Sequence, residues 1–392
     1  MASELQVNTI TEATSGSGIT FAKDVIPATP LSHRNMMING AMLVDQRNGG
    51  ALATNIGSTD NDYRTLDRWR NLWTGGEATR NTLQQVAITD LAGFSKALKI
   101  DCITAEGGTQ DADESFKMAY RFEGQDVQGM EKGFSSAKPV TVSFWVKGTA
   151  KTYMLELHQA KSTARHATQQ FSVTTSWVRH SYTFPGDTTN TIDCDNAEGL
   201  ELAIWLFAGS NYTSGSYTSK TWANVTTANR AVGISDSGKG LMNSTSDEVY
   251  FTGFQMELGS VATPFEHRSY GDELARCQRY FQKFERTSPS TPSNHVSSIG
   301  AGIWYTTSQI LASFDIYTVK RATPTLTVSS ADWAYYYGSS LGQGSNDSSS
   351  PFDVVTPNSA RINIATSSSQ TAGWGTHILL NDNETIKVEA EL

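Results

Sequence analysis

The sequence is poor in cysteine, in charge and in long apolar runs, and each shortage excludes a class of protein. The three cysteines, Cys102, Cys194 and Cys277, are far apart and form no CxxC pair, so we expect no zinc site. No segment approaches the roughly 18 consecutive apolar residues that cross a membrane. The N-terminus has neither the basic start nor the apolar segment of a secretory signal.

Charged residues make up only 18% of the chain, and no basic run occurs. The net charge is −9, from 30 Lys and Arg against 39 Asp and Glu. Because a nucleic-acid-binding protein needs a cationic surface, we expect neither DNA nor RNA as a partner.

Hydroxyl side chains, glycine and aromatic residues are abundant instead. The chain has 32 Gly, 9 Trp, 14 Tyr and 16 Phe. This composition is typical of all-β proteins, and 392 residues allow two or three domains. We predict an all-β chain with a jelly-roll β-sandwich domain, a smaller C-terminal β-sandwich, one connecting helix and an extended N-terminal arm.

The first 30 residues differ from the rest. Short alternating segments flank Ser15–Gly18, a pattern that predicts a strand, a glycine turn and a second strand. An isolated hairpin is marginal in water, so we interpret residues 1–30 as an arm that is disordered or pairs with another protein. The candidate attachment residues in this arm are Leu5, Val7, Ile10, Ile19 and Phe21.

Residues 31–270 have the pattern of one large β domain. In residues 140–147, Val140, Val142, Phe144 and Val146 share one face by the period of two along a strand. Residues 200–207 are apolar on both faces, which predicts a strand covered on both sides. Such strands without intervening helices favour a sandwich or jelly roll.

The pattern changes period at residues 271–286, where the apolar spacing of 3, 4 and 3 predicts a helix. Its apolar face supplies Leu274, Phe281 and Phe284 as candidates for oligomer or domain packing. A Ser/Pro-rich stretch completes the helix and linker segment, 271–299. Residues 300–392 form the predicted C-terminal β domain, with strands at 302–307, 310–319, 325–329, 361–365 and 384–391.

Three acidic residues, Asp111, Asp113 and Glu114, lie close together in one loop. They suit either a calcium site or an ordinary Asp-rich turn, and they do not match the calcium-loop pattern. No GxSxG, HExxH or GxxxxGK[ST] sequence is present. We therefore expect no catalytic residues and no enzyme activity, and no cofactor beyond a possible calcium ion.

Two groups of aromatic residues lie in segments rich in Ser, Thr, Gly and Asn. Flat rings next to hydroxyl and amide groups are what a saccharide site requires, because rings stack on the apolar faces of sugars. An oligomer interface uses the same residue types, so both interpretations stay open. The candidates are Tyr212, Tyr217 and Trp222 in one group, and Trp333, Tyr335, Tyr336 and Tyr337 in the other.

Three segments together resemble the tail fibres and related virion structural proteins of tailed bacteriophages, including those of marine cyanobacteria. They are NMMINGAMLVDQRN with YRTLDRWR (35–48 and 63–70), VTVSFWVKGT (140–149), and FTGFQMELGSVATPFEHRSYGDELARCQRYFQKF (251–284). The arm ELQVNTITEATSGSGITF also resembles the start of such fibres. Arg268 in the third segment and Asp67 in the first are a candidate structural ion pair.

The resemblance implies a carbohydrate-binding-like jelly roll, attachment to other virion proteins through residues 1–30, and a C-terminal domain that recognises host surface glycans. It also implies a homotrimer on the tail or capsid exterior, made in the host bacterial cytoplasm. Two alternatives remain: an adaptor or capsid decoration protein without receptor binding, and a polysaccharide depolymerase.

Overall fold

The structure, a computed structural model, describes residues 33–57, 61–75, 79–161, 163–285, 297–329, 332–337, 340–345, 351–366, 370–380 and 385–392. For residues 55, 297, 298, 332–337, 340–345 and 380 it describes the backbone alone. The predicted arm at 1–30, with its candidate attachment residues Leu5, Val7, Ile10, Ile19 and Phe21, lies outside the described residues. No helix in the described ranges is long and apolar enough to cross a membrane.

The N-terminal part of the described chain is a sandwich of two six-stranded antiparallel sheets. Their order is β1-β3-β4-β12-β6-β9 in the first sheet and β11-β8-β7-β10-β5-β2 in the second. This arrangement confirms the predicted jelly-roll class. In chain order the strands are β1 (Ala53–Gly57), β2 (Arg70–Thr74), β3 (Thr79–Ala87), β4 (Lys96–Cys102), β5 (Ser115–Glu123), β6 (Val140–Gly148), β7 (Thr152–Gln159), β8 (Arg165–Ser172), β9 (Val178–Phe184), β10 (Glu198–Ala208), β11 (Ala223–Asn224) and β12 (Glu248–Leu258).

The core of the sandwich lies between the inward faces of these sheets. Val142 and Phe144 of β6 and Leu202 and Ile204 of β10 are buried in one cluster, as the alternating pattern predicts. Each such side chain contributes about 1.5–3 kcal/mol on burial. Trp205 is buried on the opposite face of β10, so this strand is covered on both sides.

Short helical segments occupy the connections of the jelly roll. The helix α1 (Ser210–Thr213) follows β10, and α2 (Tyr270–Gln278) follows β12. The 3₁₀ turns are Gly124–Met130, Thr227–Asn229, Asp236–Gly238 and Gly240–Asn243. The helix α2 begins where the Ser269 hydroxyl accepts a hydrogen bond from the amide of Asp272 at 3.2 Å.

The prediction of one helix over 271–286 is wrong in its second half. The helix ends at Gln278, and Phe281–Glu285 form a strand that pairs with Thr385–Glu389. Phe281 is buried under the guanidinium of Arg47, 3.7 Å from its ring centroid, and Phe284 packs on Phe314. Pairing with a distant strand has thus overridden the local helical period. Of the three packing candidates only Leu274 lies on the helix, where it is half-buried.

Two further antiparallel sheets form the C-terminal part, with orders β13-β22-β16 and β18-β17-β21-β14-β15-β20-β19. Their buried core includes Trp304, Phe314, Ile362 and Ile378. The strands are β13 (Phe281–Glu285), β14 (Ser297–Thr306), β15 (Gln309–Asp315), β16 (Thr325–Val328), β17 (Asp332–Tyr337), β18 (Ser340–Ser345), β19 (Phe352–Val355), β20 (Ser359–Ala365), β21 (Gly375–Leu380) and β22 (Thr385–Glu389).

Candidate functional site

An open groove of about 530 Å³ lies on the outer face of the seven-stranded sheet. Small residues line much of it, including Ala301, Gly302 and Ser313. Gly302 permits the close approach of β14 and β15, because a Cβ atom there would lie 2.6 Å from the carbonyl oxygen of Leu311. A larger residue would push the two strands apart and fill the groove.

Successive side chains of β20 point to opposite faces of the sheet, so only every second one reaches the face with the groove. Ile362 and Ile364 are fully buried in the core, so Arg361 and Asn363 point to the opposite, outer side. Arg361 pairs with Ser313 of β15 in the sheet register, and Asn363 pairs with Leu311. A charged and an amide side chain therefore stand next to the groove on a rigid strand.

Four side chains form a continuous hydrogen-bonded row across β15, β20 and β19. The amide of Gln309 donates to Asn363 Oδ1 at 2.7 Å, and Asn363 donates to Asp353 Oδ2 at 3.2 Å. Arg361 completes the row through two hydrogen bonds of 2.7 Å to the two carboxylate oxygens of Asp353. We call Gln309, Asn363, Asp353 and Arg361 the polar row.

The polar row is charge-balanced and partly open to solvent. The side chains of Arg361 and Asp353 are 48% and 35% exposed. The hydrogen bonds from Arg361 lower the pKa of Asp353, so its carboxylate is charged at neutral pH. The row can therefore both donate and accept hydrogen bonds without presenting a net charge.

Large apolar side chains are exposed in the same part of the domain. Ile303 and Val354 line the groove and are about half exposed, and Tyr305 is 60% exposed. Tyr305 lies between Trp304 and Thr306 of β14, which pair with Ile310 and Gln309 of β15, so its position on the strand is next to Gln309 of the polar row. Trp374 is 52% exposed, and its carbonyl oxygen accepts a hydrogen bond from the Trp304 amide on β14 at 2.8 Å.

The first group of predicted aromatics is divided between two places. Tyr212 and Tyr217 pack around Trp205 on the outer face of the second sheet, with the rings of Tyr212 and Trp205 5.2 Å apart. The Tyr217 hydroxyl accepts a hydrogen bond from the Gln170 amide at 3.0 Å. Trp222 lies elsewhere and donates to the Pro185 carbonyl at 2.8 Å. All three rings are half-buried, so each serves the packing of its own loop.

A buried carboxylate holds the loop that covers Trp205. Glu156 of β7 accepts hydrogen bonds from Trp205 Nε1 at 2.8 Å and from Arg230 Nε and Nη2 at 2.8 and 2.9 Å, and it lies 3.0 Å from His166 Nδ1. Burial alone would raise the pKa of Glu156, but Arg230 and His166 lower it. This cluster is an internal anchor and offers no free acid or base.

The second group of predicted aromatics, Trp333, Tyr335, Tyr336 and Tyr337, has described backbone but no described side chains. Asp332–Tyr337 is strand β17, paired with Ser340–Ser345, and glycan binding by these residues stays a prediction. Strand β17 also pairs with β21, the neighbour of β14. These residues therefore belong to the same sheet as the groove.

The structure does not bring Asp111, Asp113 and Glu114 together as ligands of one calcium ion. Glu114 is buried and lies 3.2 Å from Arg80, and its other oxygen accepts the Asp111 amide at 3.1 Å. In the part of the chain that the structure describes, no three His, Cys, Asp or Glu side chains converge on a metal position. The alternative of an Asp-rich turn fits this geometry.

Tyr305, Trp374 and the polar row were missed as site residues. The sequence could have indicated that Arg361 and Asn363 face away from the core, because they alternate with isoleucines in the predicted strand 361–365. Their partners Gln309 and Asp353 carry no such signal, because only the pairing of β15, β20 and β19 brings them together.

The sequence matches none of the protein-family models, and no curated protein matches it. Solved structures give weak matches of fold. The enzymatically active domain of tailspike protein 4 from bacteriophage CBA120 has a TM-score of 0.29 at 10% identity over 57% of this chain, which corresponds to 21% of that chain. A CBM4 structure has a TM-score of 0.28 at 13% identity, over 56% of this chain and 98% of that chain. The family 11 carbohydrate-binding module of Lic26A-Cel5E from Clostridium thermocellum has a TM-score of 0.26 at 14% identity, over 55% and 98%.

Proposed function

We propose that this chain is a structural protein of a tailed-phage virion whose C-terminal domain binds host surface glycans through the groove. The observation that carries the glycan assignment is the exposed Tyr305 on β14, next in the sheet register to Gln309 of the polar row, in the same sheet as an open groove. A sugar presents an apolar face for stacking and a rim of hydroxyls for hydrogen bonds, and this surface offers a partner for each.

The polar row supports the proposal because it is organised before any ligand arrives. Arg361 and Asp353 already hold each other through two hydrogen bonds, so binding a sugar costs little additional ordering. A single shallow site of this kind binds weakly. Three copies in a homotrimer would compensate through avidity, which fits the oligomer that the resemblance implies.

The virion assignment depends on the three resembling segments in 35–48 with 63–70, 140–149 and 251–284, and on the arm at 1–30. In this proposal the arm attaches to another virion protein, and the C-terminal domain faces the host. We also propose that the chain does not cleave its glycan, since the polar row holds its one carboxylate in an ion pair with Arg361.

A purely structural adaptor is the second candidate. It is favoured by the exposed Ile303 and Val354 at the groove, because apolar side chains on a sheet face also suit contact with another protein. The two functions differ in whether the isolated full chain binds a glycan.

The test is binding of the full chain to an array of bacterial surface polysaccharides, with oligomeric state measured by light scattering. Tyr305→Ala should weaken binding roughly fivefold, the equivalent of about 1 kcal/mol of lost stacking. Asn363→Ala, which interrupts the polar row, should weaken it by a similar factor. Tyr317→Ala is the matched control, because Tyr317 is 81% exposed in the same domain and its ring lies on Phe284, 5.6 Å between centroids, instead of on the strands of the polar row.

Binding that Tyr305→Ala leaves unchanged would overturn the assignment of the groove. A folded chain that binds no polysaccharide would overturn glycan recognition and favour the adaptor. Release of reducing ends from a bound polysaccharide would instead support a depolymerase.

A further inference from the structure

A second pocket, of about 510 Å³, lies at one end of the jelly roll and far along the chain from the groove. Three loops form it: the one before β5, the one after β10 and the one before β12. Ala208 at the end of β10 pairs with Ser115 at the start of β5, so these loops meet at the same end of the sandwich. We call this cavity the end pocket; its lining includes Thr109, Gln110, Ser210, Ser237 and Asn243.

The backbone at one wall of the end pocket adopts an unusual conformation. Asp236 and Ser237 are two successive non-glycine residues with φ of 55° and 57°. Left-handed backbone costs about 1–2 kcal/mol for each such residue, and strain of this kind concentrates at ligand sites. Together with the hydrogen bond from the Gly238 amide to the Ser235 carbonyl at 3.2 Å, these angles define a type I′ turn that presents Ser237 at the wall of the pocket.

Several contacts hold the strained segment rigidly. The Asp236 carboxylate lies 2.5 Å from Lys151 Nζ, and Gln110 Nε2 donates to the Ser237 carbonyl at 2.5 Å. Gly238 packs so closely on β10 that a Cβ atom would lie 2.1 Å from the Ala208 carbonyl oxygen. The wall is therefore positioned before any ligand binds.

Four lining side chains are available to a ligand. Thr109, Ser210, Ser237 and Asn243 are exposed, and none of them makes a side-chain hydrogen bond to any residue in the described part of the chain. They supply three hydroxyls and one amide. Each can donate and accept hydrogen bonds, and none carries charge.

The two charged residues of the lining are already engaged. Asp236 is paired with Lys151, and Lys239 Nζ donates to the Glu106 carbonyl at 3.2 Å. The lining thus holds one ammonium, Lys239, and one carboxylate, Asp236, so its formal charges cancel, and an apolar ligand would find no aromatic ring in it. Hydroxyl and amide groups in a cavity of this volume suit a neutral, polyhydroxylated molecule.

We propose that the end pocket binds one neutral sugar residue, independently of the groove on the C-terminal domain. The same chemistry comes from a free monosaccharide or from the end of a glycan chain. The pocket gives the jelly roll its own contact with carbohydrate, on loops that share no residue with the polar row.

The test is saturation-transfer NMR on the full chain with glucose, galactose, mannose and N-acetylglucosamine, followed by calorimetry with the sugar that gives the strongest signal. Ser237→Ala and Asn243→Ala should each lower affinity about tenfold. Thr245→Ala is the matched control, because Thr245 is exposed in the same loop and outside the pocket lining. Tyr305→Ala in the groove should leave this binding unchanged.

Ser237→Gly separates a ligand site from a merely structural turn. Glycine accepts the left-handed conformation, so the variant should melt at the same temperature as the wild type or higher while losing affinity. Oligosaccharides of the selected sugar, tested beside the monosaccharide, show whether a chain end binds better than the free sugar. No signal from any of the four sugars would overturn the proposal, and so would binding lost in Tyr305→Ala but kept in Asn243→Ala.

Discussion

Arg68 Nη1 lies 2.6 Å from Glu391 Oε2, and this ion pair joins the jelly roll to the last residues of the C-terminal domain. Arg68 is 1% exposed, and its guanidinium lies 3.5 Å from the ring centroid of Tyr280. The other oxygen of Glu391 accepts a hydrogen bond from Arg47 at 2.9 Å. The Glu391 carboxylate therefore bridges two buried guanidinium groups, with Glu389 as the second partner of Arg47 at 2.6 Å, and ties the C-terminal domain to the jelly roll.

Glu391→Gln should strongly destabilise the protein. The substitution keeps the size of the side chain but removes the countercharge of the buried Arg68, while Arg47 keeps Glu389, and breaking a buried pair costs about 3–5 kcal/mol. Urea unfolding followed by fluorescence measures the loss. Glu285→Gln is the control, because Glu285 pairs with Lys283 at the surface and should change stability by less than about 1 kcal/mol. Equal losses in the two variants would contradict the role of Glu391.

Asp67 should make stability depend on pH in the opposite sense to most carboxylates. Burial raises the pKa of Asp67 to about 7, although hydrogen bonds from Gln46 and the charge of Arg47 lower it. The folded state therefore holds this proton more tightly than the unfolded chain, whose Asp has a pKa of about 3.9. The stabilising contribution is fully present below about pH 4 and is lost as the pH rises through about 7.

Asp67→Asn removes this titration, so the comparison with the wild type isolates it. The variant should be similar in stability at about pH 4 and more stable at about pH 8, by up to about 4 kcal/mol. Urea unfolding at several pH values measures the difference. A difference that does not change with pH would show that Asp67 does not titrate in this range.

Local patterns in the sequence predicted the strands with the strongest alternation. Residues 140–147 and 200–207 correspond to β6 and β10, because their inward faces are buried regardless of what pairs with them. The segment after Gln278 was predicted as helix because Phe281 and Phe284 continue the helical spacing. Its true state depends on β22, about a hundred residues later, and no local signal encodes that pairing.

Side-chain partners were harder to predict than strands. Arg268 and Asp67 do not pair: Arg268 lies 3.4 Å from Glu273 and donates to the Met37 carbonyl, while Asp67 is bound by Gln46. The aromatic residues that stand out in the sequence, Tyr212 and Tyr217, are half-buried in their own loop. Tyr305 is exposed because Trp304, the preceding residue on β14, points into the core. Which of these two rings faces solvent follows only from the register of the sheet.

Gly253→Ala should destabilise the first sheet. Gly253 has φ of 66° at a bulge of β12, and a Cβ atom there would lie 2.8 Å from Phe94 Cζ and 2.9 Å from Trp145 Cδ1. The left-handed backbone and the contact with two rings should together cost about 1–3 kcal/mol. Thermal unfolding measures the effect.

Gly271→Ala is the control for that substitution. Gly271 lies in helix α2 with nothing within 4 Å of its Cβ position, so alanine should stabilise the helix by about 0.5–1 kcal/mol. Opposite signs for the two substitutions would support the structural account, whereas a neutral Gly253→Ala would contradict it.

Glu156→Gln should loosen the loop that covers Trp205. Arg230 reaches Glu156 with two hydrogen bonds from that loop, and the Ala231 amide next to it donates to the Tyr212 carbonyl at 2.9 Å. Without the carboxylate charge, the half-buried Arg230 is stabilised more by hydration than by hydrogen bonds to a neutral amide oxygen, so the loop opens more often. Hydrogen exchange in residues 209–235 should become faster by about tenfold or more, since hydrogen bonds to a charged group are worth about 1.5–3 kcal/mol.

Glu198→Gln on β10 is the control, because it changes a more exposed carboxylate, paired with Arg121, and should leave exchange in this loop unchanged. If both variants exchange like the wild type, packing of Tyr212 on Trp205 holds the loop without the ion pair.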